Sequence, residues 1–199
     1  MNRLEINEKD MINQMGELRK RFDILSGSDV KRAQSSALNK AGRRIKTQVV
    51  KRSSGPLSVS QKLIRPRIKL KNSTPRKQIT TVWGGMQGIP LIKLKARQVT
   101  GGVAAGKYLI PDAFIATPTS TPKHRYKGRR APSKNLIGKP QVFKKKSRGT
   151  YALENQKLNI APQLSKHMKQ SAERVLRNDM RRLMQEEYRH RVLRKAGII

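Results

Sequence analysis

Apolar positions follow two rhythms along this chain. Met11, Met15, Leu18, Phe22 and Leu25 recur at steps of three and four, which places them on one helical face. Gly27 supplies a C-terminal stop, and Ser28 or Asp29 a cap for a second helix. In that helix Val30, Ala33, Ala37, Ala41, Ile45 and Val49 form the apolar stripe. Lys31, Arg32, Lys40, Arg43, Arg44, Lys46, Lys51 and Arg52 occupy its other faces, and Ser53, Ser54, Gly55 and Pro56 are expected to end it. A short helical turn over Ser58–Ile64, broken by Pro66, follows.

The middle of the chain changes period. Arg67–Lys71 and Leu91–Lys95 alternate apolar and basic residues, the pattern of strands with one buried face. Ile79–Trp83 and Tyr108–Ala116 read as further strands, set apart by Gly84-Gly85 and Gly101-Gly102. Residues 117–149 carry Pro118, Pro122, Pro132 and Pro140 and read as a basic arm too polar to bury a core, with Gln141–Phe143 as a possible edge strand. Helical spacing then returns. Pro162 suits a first helical position, and Leu164, Met168, Ala172, Val175, Leu176, Met180, Leu183 and Val192 mark a stripe. Glu173 with Arg177 and Glu187 with Arg191 stand four apart in the favourable order. If continuous, this helix is roughly 50 Å long at 1.5 Å per residue.

The elements together predict an α+β fold, with N-terminal helices and a long C-terminal helix packed on a small antiparallel sheet whose wet face carries lysines. The chain is expected to form a single domain over 1–199. Its parts are an N-terminal helical part, 1–55, a β-rich part, 56–116, the arm, 117–149, and the C-terminal helix, 150–199.

Charge changes this picture most. Lys and Arg number 46 against 12 Asp and Glu, a net charge of +34. Between Asp29 and Glu154 the only acid is Asp112, although 30 of the 46 basic residues lie there. So few acids leave a basic surface that attracts a polyanion or an acidic partner. Aromatic residues are only 4% of the chain, and only Tyr126 sits inside a dense basic cluster, which disfavours stacking on single strands. No zinc, homeodomain or RNP pattern is present, so base-specific reading is not expected. With no cysteine, disulfide and thiolate chemistry are excluded. No run is apolar enough for a membrane span and no signal-peptide core is seen, which points to a cytosol or a particle assembled in one.

Catalytic patterns are missing as well. Gly101-Gly102-Val103-Ala104-Ala105-Gly106-Lys107 satisfies the P-loop spacing, but Tyr108 stands where Mg²⁺ chemistry needs a hydroxyl of Ser or Thr. The following Leu109-Ile110-Pro111 reads as extended chain, so a Gly/Ala hairpin is expected. His124, His167 and His190 are far apart and are expected at the surface; Asp112 is expected in a turn, and Glu186-Glu187 in helix salt bridges. Neither an enzymatic site nor a cofactor nor a metal is expected. On residues alone, a ribosomal or other RNA-associated protein fits this profile, and a DNA-processing enzyme fits less well.

The order of segments resembles minor tail protein Z, the tail completion protein of lambda-like phages. The resemblance rests on ALNKAGRRIKTQVVKR (37–52), VSQKLIRPRIKLKNS (59–73), IPLIKLKARQV (89–99), IPDAFIA (110–116) and the basic C-terminal helix. It extends over nearly the whole chain and is weakest over 117–149. It implies a late-acting virion protein at the head-proximal end of the tail, one that makes a finished tail competent to join a filled head. The implied form is a homo-oligomeric ring, a hexamer being favoured, beside tail terminator and head-tail connector proteins. The end of the double-stranded DNA genome or the tape measure protein would lie near its axis. A chaperone-like binder of acidic tail proteins suits the same charge. The family brings no catalytic residues. Charge alone nominates Arg43, Arg44, Lys123, Arg125, Lys127, Arg129, Arg130, Lys144, Lys145, Lys146 and Arg148 for contact with nucleic acid or an acidic partner.

Overall fold

The computed structural model describes residues 2–6, 27–117, 139–145 and 153–195. The expected first helix, over Met11 to Leu25, therefore lies outside the described residues, as does most of the arm. The chain divides into two compact units, one of Met1–Gln87 with Ile160–Ile199, the other of Gly88–Asn159. The fold is α+β, as the periodicity predicts.

In the first unit β1 (Asn2–Ile6), β2 (Ile68–Lys71) and β3 (Thr80–Gly84) form an antiparallel sheet of order β1-β3-β2. Helix α1 (Gly27–Leu57) lies on it, burying Ala33, Ala37, Leu38, Ala41, Ile45 and Val49. Small residues on that stripe allow close approach. A Cβ at Gly42 would stand 2.6 Å from Thr80 Cγ2 and 2.7 Å from Leu70 Cδ1, so any larger residue there would force one of these side chains or the helix to shift. Ile68 and Val82 fill the same face, while Lys69, Lys71 and Trp83 point to the exposed one. This is the lysine-bearing wet face that the alternation predicts.

Helix α1 runs further than expected at both ends. Gly27 and Ser28 are already helical, and Ser53 to Pro56 continue the helix. Ser53 and Leu57 are buried, 0% and 5% exposed, and extend the Ile45, Val49 stripe by two four-residue steps. Burial thus outweighs the breakers, and Pro56, in the last turn, sacrifices only one backbone hydrogen bond. The helix closes in a Schellman arrangement, Val59 N–H to Ser54 O at 3.1 Å and Ser58 N–H to Gly55 O at 2.9 Å, with Ser58 at φ 48°. A short helix α2 (Gln61–Ile64) and a 3₁₀ turn (Arg65–Arg67) lead into β2.

At the other end of the chain, α3 (Ala161–Arg174), a π turn (Val175–Asp179) and α4 (Met180–Lys195) follow without a break. Pro162 sits in the first turn, at the second helical position. Leu164, Met168, Ala172 and Val175 are buried, and then Met180, Leu183, Met184 and Tyr188. The step from Val175 to Met180 is five residues. The wide turn absorbs one extra residue and so keeps both halves of the stripe on one face. This helical segment runs antiparallel to α1.

The second unit is made of short strands. β5 (Arg97–Val99), β6 (Gly102–Ala105) and β7 (Tyr108–Pro111) form one meander. β8 (Ala113–Ala116), β9 (Gln141–Lys145) and β10 (Leu153–Asn155) form a second sheet of order β10-β9-β8, and β4 (Ile89–Pro90) pairs with β11 (Lys157–Leu158). The expected strand over Leu91–Lys95 is instead a 3₁₀ turn, Leu91–Leu94. Leu91 and Leu94 are buried three residues apart, and Lys95 ends the turn at φ 57°. The single strand expected over Tyr108–Ala116 is split at Asp112, φ 58°, whose N–H donates to Gly101 O at 2.9 Å. Asp112 thus sits in the turn expected of it. The segment around Gln141–Phe143 is the central strand of its sheet, not an edge. Phe143 meets Phe114 there at a centroid distance of 6.2 Å.

Candidate functional site

A helix pair carrying cations on both members needs carboxylates where the members meet, and three of the chain's acids stand there. Lys40 Nζ lies 2.6 Å from Glu187 Oε1, Arg44 Nη1 3.3 Å from Asp179 Oδ2, and Lys195 Nζ 3.9 Å from Asp29 Oδ2. Arg191 Nη2 donates to Ser36 Oγ at 3.4 Å. Glu186 pairs within its own helix, with Arg182 at 3.6 Å, as expected; its neighbour Glu187 reaches across to α1 instead. With these acids engaged inside the helix pair, the exposed cations Lys31, Arg32, Arg43, Lys51 and Arg52 of α1 face solvent.

The nominated residues are thereby sorted. Arg43 is exposed on α1, and its carbonyl accepts from Thr47 Oγ1 at 2.9 Å. Arg44, half-buried, holds Asp179 and so links the two helices. Lys144 and Lys145 are on β9 of the second unit, half-buried and exposed respectively, with Lys144 opposite Glu154 in register. Lys123, Arg125, Lys127, Arg129, Arg130, Lys146 and Arg148 lie outside the described residues.

Two basic clefts flank α1, built from residues the linear pattern did not group. One, of ≈ 520 Å³, is lined by Lys46, Gln61, Lys62, Arg65 and Pro66. The other, of ≈ 650 Å³, is lined by Ser28, Lys31 and Arg32 from α1 and by Thr74, Pro75, Arg76 and Gln78 from the β2–β3 connection. That connection is held by buried and half-buried hydrogen bonds. Asn39 takes Ser73 N–H on its Oδ1 at 2.7 Å and donates to Ser73 O at 3.1 Å, and Thr80 Oγ1 donates to the same Oδ1 at 3.0 Å. The hydroxyls of Ser35 and Ser73 meet at 2.8 Å. Thr74 N–H donates to Lys77 O at 2.9 Å, and Lys77 N–H to Thr74 Oγ1 at 3.1 Å, which closes the loop tip into a fixed turn. The only advance signal for this cleft was the cluster of Ser, Thr and Pro over 72–76, which marks a turn but not what the turn faces.

His167 departs from expectation. It is buried on α3, with Nδ1 3.1 Å from Ser53 Oγ on α1. Burial lowers its pKa below the ordinary 6.5, and the Arg52 and Lys166 cations add to the effect. A polar pair in the helix interface replaces the surface residue suggested by its isolation in sequence. His190 is exposed, and His124 lies outside the described residues. The Arg67 guanidinium, its pKa lowered by burial, donates to Gln87 O and ties the start of β2 to the segment beyond β3. The P-loop-like segment is the β6–β7 hairpin, turning at Gly106 with φ 61°. That places a strand where phosphate binding would need a loop and helix N-terminus. No group of three or more His, Asp or Glu gathers among the described residues. Nor is any helix of theirs long and apolar enough to cross a membrane.

No curated protein and no solved structure matches the chain. A family model does, over residues 17–196, and its description is prophage minor tail protein Z. That span takes in α1, the clefts, the strand-built unit and almost all of the C-terminal helical segment. The chain belongs to the prophage minor tail protein Z family, structural proteins of the phage tail and hence of the virion.

Proposed function

We propose that this protein completes the phage tail at its head-proximal end and makes it competent for head-tail joining. The observation that carries the reading is the family match over 17–196, and the net charge of +34 supports the position. A protein so basic needs an anionic neighbour, and the genome end in the tail channel is one. Subunits form a ring, a hexamer being favoured, beside the tail terminator and connector proteins. Six copies would gather about 200 positive charges, which is stable only against DNA or acidic neighbours such as the tape measure protein. Arg43 and the basic residues of 117–149 are the groups assigned to that anionic neighbour. The role is structural, without cofactor or catalysis.

The test is a phage carrying a stop codon early in this reading frame. Its lysate should contain filled heads and full-length tails that fail to join, and the purified protein should restore joining in vitro. Normal joining without the protein, or tails of the wrong length, would refute the assignment. Charge is tested separately by neutralising Arg129, Arg130, Lys144, Lys145 and Lys146. Particles should assemble but lose DNA more readily, and unchanged infectivity and DNA retention would remove the channel-facing role.

A further inference from the structure

We propose that the cleft between the start of α1 and the β2–β3 connection is a preformed seat for one backbone phosphate of duplex DNA. The idea rests on the reading that the basic surface meets DNA, and adds the place and the groups. Lys31, Arg32 and Arg76 come to one cleft from segments some forty-five residues apart, and among the described residues no carboxylate lines it. Among the described residues none of the three cations is held by an acid. Cations brought together without counter-charge repel one another, and an anion between them removes that repulsion.

The walls are fixed before any ligand arrives. The Asn39 and Ser35 bonds to Ser73 clamp the connection to α1, and the Thr74–Lys77 turn holds Arg76 at its tip. Little ordering is left for binding to impose. Thr74 Oγ1 already accepts a hydrogen bond, from Lys77 N–H, so its hydroxyl proton is the group it has to give. Gln78 lines the same cleft at 8% exposure, and its side-chain oxygen has no hydrogen-bond partner among the described residues. A carboxamide turned by half a rotation offers its NH₂ at that position instead.

The donor set favours phosphate over carboxylate. An ammonium, two guanidinium forks, a hydroxyl and an amide approach from two walls and suit the several oxygens of a tetrahedral group. A carboxylate offers two oxygens in one plane. The volume, ≈ 650 Å³, also has room for the sugar attached to the phosphate. Nothing in the cleft reads a base, so binding would be indifferent to sequence.

The test is fluorescence anisotropy of the full-length chain with a 20-base-pair duplex of arbitrary sequence, across a range of salt. Three proteins are compared: the unaltered chain, Arg32→Gln/Arg76→Gln, and a control of equal charge loss on the C-terminal helical segment, Arg177→Gln/Arg189→Gln. All four arginines are exposed, and thermal melting is the check that each variant folds. The cleft variant should bind at least about fivefold more weakly than the control, with a salt slope about one unit shallower, the loss expected for one phosphate contact. Equal weakening in both variants would overturn the seat and leave general electrostatic attachment standing. Should the unaltered chain ignore the duplex but bind poly-glutamate, and the cleft variant not, the occupant is an acidic protein and the phosphate assignment falls. If the unaltered chain binds neither, the reading of the basic surface fails, and the seat with it.

Discussion

Replacing Glu187 by Gln asks whether the scarce acids hold the helix pair together. The Glu187 side chain is 11% exposed, with its carboxylate 2.6 Å from the Lys40 ammonium, whose side chain is 46% exposed. At that separation two unit charges attract by about 1.6 kcal/mol in water and about 6 kcal/mol at an effective dielectric of 20. Solvent around the half-exposed lysine and partial desolvation of the carboxylate offset most of the larger figure. A coupling of about 1–2 kcal/mol is therefore expected, above an exposed surface pair and below a fully buried one. The single changes should be unequal. Glu187→Gln adds to a net charge already at +34, whereas Lys40→Met reduces it, so the first should cost more. Urea unfolding followed by circular dichroism, on the unaltered chain, both singles and the double, yields the coupling directly. Salt at about 0.5 M should narrow the difference between the singles by screening the net repulsion. A coupling within about 0.3 kcal/mol of zero, or a costlier Lys40→Met at low salt, would refute the reasoning.

Three further outcomes are expected. Leu38, 0% exposed on the buried face of α1, should cost about 2–5 kcal/mol of stability when changed to Ala, as measured by urea unfolding; a loss below about 1 kcal/mol would mean that the core collapses around the gap. Ser58→Gly should raise stability by about 0.5–1 kcal/mol, because φ 48° strains a residue with a Cβ, and a lower melting temperature would contradict the closure described for α1. The folded chain holds His167 neutral with its pKa lowered, while the unfolded chain takes up the proton near 6.5. Stability should thus be complete above that pH and fall as acid is added through it, down to the folded pKa. His167→Gln should flatten the decline, and an unchanged pH profile would show that other groups govern it.

What was legible in advance and what was not divide along a physical line. The α1 stripe from Ala33 to Val49, the stripe from Leu164 to Met180 and the alternation over β2 are local periodicities, and a single buried face is enough to produce each of them. The excess of cations is a property of composition and needs no fold. For these the amino-acid order by itself was sufficient, and it determined the α+β class and the strongly basic balance of charge. Other features belong to tertiary structure. Leu91 and Leu94 satisfy both an alternating and a three-residue pattern, and only their packing selects the 3₁₀ turn. The break at Asp112 depends on the carbonyl of Gly101, and the π turn on keeping Met180 in step with Val175 against α1. Glu187 chose Lys40 on another helix over Arg191 on its own, and His167 found Ser53. The cleft of Lys31, Arg32 and Arg76 exists only because the Asn39–Ser73 bonds draw a distant loop onto α1. Such pairings are set by distances across the fold, which residue spacing along the chain does not encode.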